Sequence, residues 1–163
     1  MHTEQTAQDG RHAFDFLTGS WQVHNRRLRE RLKGSQAWEE FESLSVAQTI
    51  LGGLGNFDAL TLHRESGVTY GSTLRLFNPE TQQWSLYWSD SATGSLYAPM
   101  VGSFVDGVGY FYACELFERK TIISRFLWSG ISATTWRWEQ AFSTDGGATW
   151  ETNWIMEGVK ISE

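Results

Sequence analysis

Residues 136–156 read WRWEQAFSTDGGATWETNWIM, two alternating runs around one turn. Trp136, Trp138, Gln140 and Phe142 share one parity, and Thr152, Trp154 and Met156 share one after the turn. Side chains of a strand point to opposite faces in turn, so each run gathers large apolar groups on one face. Between the runs, Asp145 is placed to bond backbone amides two residues on. Gly146 and Gly147 are free to take the positive φ that a tight hairpin needs. The stretch therefore predicts a hairpin, and the rest of the chain repeats its plan.

Working back towards the N-terminus, alternating apolar runs occupy 21–32, 37–50, 57–65, 69–77, 83–89, 96–105, 109–117 and 121–128. Short polar turns separate them, among them Asn78-Pro-Glu-Thr81, with Pro at the second position that type I turns favour. This is about ten strands at a spacing of roughly 12 residues, the pattern of an antiparallel meander. An open meander exposes two edges, and pairing the first strand with the last removes both. The expected fold is all-β: a closed up-and-down barrel of about ten strands, one domain over 1–163. Residues 1–12 are polar and expected to be mobile. Residues 13–18, AFDFLT, supply a short helical plug around Phe14 to Leu17.

Composition agrees with this reading. Nine Trp, ten Phe and five Tyr in 163 residues suit strands better than helices. Sixteen Gly and two Pro fit many turns between fully paired strands. A net charge of −6 argues against nucleic-acid binding, which rests on a basic surface. No apolar run approaches the roughly 18 residues of a membrane span, and no secretory h-region is visible. Cys114 stands alone and suits a reducing compartment, so the expected location is the cytoplasm.

Gly19-Ser-Trp21, which follows the plug and opens the first strand, resembles the G-x-W motif of lipocalins and other calycins. The resemblance implies that Trp21 closes the barrel floor and that an Arg from a late strand, Arg137 or Arg125, packs on it. The longer pieces, 14–21 and 143–154, look like a family of uncharacterised bacterial calycin-like barrels (lipocalin or fatty-acid-binding-like), which brings no activity with it. There is no lipocalin disulfide, so an extracellular transport role is not expected. Ser143-x-Asp-x-Gly-x-Thr-Trp150 also matches the Asp-box of sialidase propellers. Occurring once, it reads as a device that stabilises its hairpin.

Metal and cofactor chemistry finds little support. His2, His12, His24 and His63 lack the close spacing of a zinc site. One calycin branch, nitrobindin-like, binds haem through a His near the C-terminus, and this chain has no His after His63. No metal and no cofactor is expected. The nucleophile elbow G-x-S-x-G is absent, and Gly52-Gly-Leu-Gly55 lacks the dinucleotide-binding spacing and joins two strands.

Arg26, Arg27, Arg29, Arg31 and Lys33 make the first strand basic, while Glu39, Glu40 and Glu42 lie on the returning strand. Cross-strand pairing of opposite charges is the expectation, with an anion-binding stripe as the alternative. In the interior, Trp84, Leu86, Trp88, Phe126, Trp128, Trp136 and Trp138 share inward parities, as do Ser124 and Gln140. Arg75 and Arg125 lie within apolar strands. An inward Arg needs a partner, because burying a lone charge is very costly; Glu115 or an anionic ligand is the candidate. Apolar walls with few polar anchors suit a small molecule. The expected ligand site is Arg75, Trp88, Arg125, Trp128 and Gln140, holding a hydrophobic molecule, with an acidic group on it left open. Two other functions remain open. One is a cofactor-free lyase or isomerase using Tyr87, Tyr110, Tyr112, Arg75, Arg125 and Glu115, in the manner of phenolic acid decarboxylases. The other is a homodimeric interaction module, because 109–117, GYFYACELF, is apolar on both parities.

Overall fold

A computed structural model describes residues 9–162. Ten antiparallel strands close into a barrel in which each strand pairs with its chain neighbours and the first pairs with the last. They are β1 (Gly19–Leu28), β2 (Trp38–Ile50), β3 (Gly55–Arg64), β4 (Gly67–Asn78), β5 (Gln83–Asp90), β6 (Met100–Val105), β7 (Val108–Phe117), β8 (Lys120–Ser129), β9 (Thr135–Ser143) and β10 (Glu151–Ser162). Closure runs through β1 and β10, with Trp21 opposite Lys160 and Arg27 opposite Trp154. The alternation read from the sequence is the alternation of burial. In β2, for example, Glu39, Phe41, Ser43, Ser45 and Ala47 are buried between exposed neighbours.

The plug is two 3-10 turns, Gly10–His12 and Asp15–Leu17. Phe14 and Leu17 are buried beneath the barrel, and Phe14 meets Trp84, Phe104 and Trp128 edge-on at 5.0, 5.0 and 5.5 Å. Of the segment expected to be mobile, 1–8 lie outside the described residues. Residues 9–12 are held: the Gly10 amide donates to Gln82 Oε1 at 3.0 Å, and its carbonyl accepts from Trp84 Nε1 at 3.0 Å. Trp21 is fully buried at this closed end, and its Nε1 donates to the Leu17 carbonyl at 2.8 Å. The cation over its ring is Lys160, at 5.5 Å. Neither expected arginine is there. Arg137 pairs with Glu157 on the outer surface, and Arg125 stacks on Trp150 at 4.3 Å.

Two strand boundaries differ from expectation for local reasons. β1 stops at Leu28 instead of running to 32, because Leu32 has a φ of 59° and the chain is already turning. β6 starts at Met100 instead of 96. Pro99 has no N–H to give the ladder, and Leu96 makes only a single bridge to Ser89. The loop 91–99 therefore folds over one end of the barrel.

The β9–β10 hairpin forms where its sequence places it, but Asp145 reaches the amide four residues on and not two. Asp145 accepts from the Thr149 amide at 2.9 Å and from the Ser143 and Thr149 hydroxyls. These donors hold its carboxyl down at about 2. Trp150 Nε1 closes the turn on the Gly147 carbonyl at 3.1 Å.

Candidate ligand cavity

The plug fills one end of the barrel, and a cavity opens towards the other. This cavity, of about 420 Å³, runs from Leu17 and Trp136 near the floor to Arg27, Arg31 and Arg64 at the rim. Tyr70 and Leu116 line it while remaining well exposed, so it communicates with solvent. Its volume lies within the range of small-molecule sites.

The walls are aromatic because the inward parity of four strands, β5, β8, β9 and β10, brings tryptophan to the cavity. Trp154 packs edge-on against Trp138 at 5.6 Å and Trp88 at 6.4 Å, Phe126 lies on Trp138 at 4.9 Å, and Trp128 lies on Trp136 at 5.1 Å. Glycines seat two of these rings. A Cβ on Gly71 would fall inside the Trp88 indole, and one on Gly158 would fall inside that of Trp136. Gly71→Ala is expected to displace Trp88 and to cost about 1–3 kcal/mol, the range for overpacking a core. Urea unfolding checks this, and an unchanged midpoint would show that the indole has another place to go.

The expected site residues divide. Trp88, Trp128 and Gln140 line the cavity, and Gln140 Nε2 donates to Asn153 Oδ1 at 2.9 Å. Arg75 also faces inward, but its charge is already met. Its Nη2 lies 2.6 Å from Asp58 Oδ2, and its Nη1 donates to Asn56 Oδ1 at 2.9 Å. Asp58 accepts the Thr73 amide as well, at 2.8 Å. The partner is thus Asp58 and not Glu115. Arg125 does not line the cavity: its neighbours Ser124 and Phe126 point in, so it points out. Tyr87, Tyr110 and Tyr112 likewise fall on the outer parity, which leaves Tyr70 and Tyr97 as the tyrosines along the cavity. Glu115 does line it. Burial pushes its carboxyl up, with Ser124 and Arg31 pulling it part of the way back.

No family model matches the chain, and no curated protein matches it.

The rim holds what the sequence reading missed. The basic residues divide into paired and unpaired ones. Arg26 lies 3.6 Å from Glu40, Arg29 pairs with Glu65 at 2.6 Å, and Lys33 reaches Glu118 at 3.1 Å. The cross-strand expectation holds for Arg26. It fails for Arg29 and Lys33, whose partners Glu65 and Glu118 lie on neither strand, and for Arg27, which stands opposite Glu39 in the ladder. Glu39 turns instead to Arg64, with oxygens 2.6 and 3.3 Å from that guanidinium. Arg27 shares the inward parity of Trp21, Val23 and Asn25, and lies over the Trp154 ring at 5.0 Å. Arg31 lies over Phe117 at 4.8 Å. Parity could have placed Arg27 inside; its loss of Glu39 could not be read from the sequence. Among the described residues no cluster of three His, Cys, Asp or Glu side chains could hold a metal. No described helix is long and apolar enough to cross a membrane.

Proposed function

We propose that this barrel binds one small, mostly apolar molecule in its aromatic cavity, as the resemblance to calycin barrels also implies. The observation that carries the reading is a solvent-connected space of about 420 Å³ walled by Trp88, Trp128, Trp138 and Trp154 in a barrel whose other end is filled by its own plug. Aromatic rings give an apolar guest large contact area and offer edges and faces that suit a flat one. Phe14, Phe77, Trp84 and Phe111 fill the floor beneath it.

The test is a titration with N-phenyl-1-naphthylamine, a neutral aromatic probe. Tryptophan emission is expected to fall saturably at one probe per chain, because five indoles line the site. A linear response, or none, would remove the cavity reading.

A second reading is supported by Glu115. Its half-buried carboxyl, with a raised proton affinity inside a cavity, is the kind of group that general acid–base chemistry uses. It stands without the expected tyrosines, and Asp58 occupies Arg75, so the decarboxylase-like set of Tyr, Arg and Glu is not assembled here. The binding reading is the better supported of the two.

A further inference from the structure

We infer that the guest carries a single anionic group, and that Arg27, flanked by Arg31, grips it at the rim of the cavity. This rests on the binding reading above and adds the chemical class of the ligand and the residues that select it.

Three guanidiniums converge at the rim: Arg27, Arg31 and Arg64. The carboxylates near them leave Arg27 without an ion pair, and Glu118 and Glu151 lie towards Arg31. Glu39 is engaged by Arg64 and by the Glu65 amide. Glu115 lies towards Arg31, and Asp90, across the cavity, is taken by the Trp88 indole and by the amides of Ala92 and Thr93. Arg27 has no carboxylate within ion-pair distance among the described residues, and its Nε is buried without an acceptor. Burial, together with the nearby charges of Arg31 and Arg64, pulls its guanidinium down to about 10, so it remains a cation at neutral pH. A part-buried cation without an anion is a cost to the empty barrel, and an anionic head group removes it. The planar fork of an arginine suits a carboxylate, sulfonate or phosphate.

The placement also sets the orientation. Arg27 lies over Trp154, and Trp154 leads down to Trp88 and Trp138. A head group at the rim therefore sends the apolar body down between indoles towards Trp128. The deeper Arg75 is not the anchor, because Asp58 and Asn56 already hold it.

The experiment compares two probes with the same aromatic body, the anionic 1-anilinonaphthalene-8-sulfonate and the neutral N-phenyl-1-naphthylamine. Arg27→Met is expected to weaken the sulfonate by about tenfold or more, the effect of losing a hydrogen bond to a charged group. It should leave the neutral probe within about twofold. Arg27→Lys should recover part of the loss, and Arg125→Met should change neither probe. Arg27→Met is also expected to unfold at an unchanged or higher urea concentration, because it removes an unpaired charge; this shows that the variant is folded. If the neutral probe binds but Arg27→Met leaves the sulfonate affinity unchanged, the anion site is overturned and the cavity reading stands. If neither probe binds the wild-type protein, both are overturned.

Discussion

Trp21→Ala is expected to lower the stability of the barrel by about 3–5 kcal/mol, the range for a large aromatic removed from a core. Trp21 has no exposed surface, and it joins three parts of the fold. Its ring meets Trp136 of β9 at 5.9 Å, Lys160 of β10 lies over it, and its Nε1 holds the Leu17 carbonyl of the plug. Truncation leaves a cavity at the closed end and frees that carbonyl from its donor. Small neighbours cannot collapse into the space, because β1 is held on both sides by closure of the barrel. Urea unfolding followed by far-UV circular dichroism measures the loss. A value below about 1 kcal/mol would show that Trp21 does not hold the floor. The plug should loosen in the same variant, seen as faster amide exchange at Leu17 and Thr18, whose amides close the 3-10 turn at Asp15–Leu17.

Asp58→Ala is expected to cost a similar amount, about 3–5 kcal/mol, for an electrostatic reason. Arg75 and Asp58 are 3% and 4% exposed and lie 2.6 Å apart. Removing the carboxylate leaves a buried guanidinium with only Asn56 as partner and takes the acceptor from the Thr73 amide. Removing the pair together is a milder change, because well-packed apolar residues often replace a buried ion pair at little cost. The double variant Asp58→Leu/Arg75→Met should therefore be more stable than Asp58→Ala alone. If the double variant is the less stable of the two, the pair contributes through geometry and not through charge. This result also bears on function: Asp58 is what keeps Arg75 from serving as a ligand anchor.

Much of the architecture follows from local pattern. Alternation of Trp136, Trp138 and Gln140 against Arg137 and Glu139 determines which face of β9 is buried, because successive side chains of a strand diverge. Asp145, Gly146 and Gly147 determine the last hairpin through bonds spanning a few residues. The same parity rule, applied to β8, already turns Arg125 outward beside the inward Ser124 and Phe126. What the pattern leaves open is where neighbouring signals conflict. Pro99 shortens β6 against an otherwise apolar run, and Leu32 ends β1 early by taking a left-handed φ.

The charges at the rim are a different case. Composition and spacing set five basic residues against three glutamates, which suggests a neutralised ladder, but only Arg26 and Arg27 stand opposite glutamates in it. Whether a particular Arg is paired depends on which carboxylate side chain reaches it, and that includes residues from strands distant in sequence. Glu39 stands beside Arg27 in the β1–β2 ladder, yet it bonds Arg64, from β3. Arg75 finds Asp58 and not Glu115, because β3 is its ladder neighbour while β7 lies farther round the barrel. The sequence by itself determined strands, turns, the closed barrel and its aromatic lining, since all of these follow from period-two burial and turn chemistry. Only the tertiary structure decided which guanidinium is left without a partner, because an ion pair is settled by distances of a few ångströms between side chains that the chain order does not bring together.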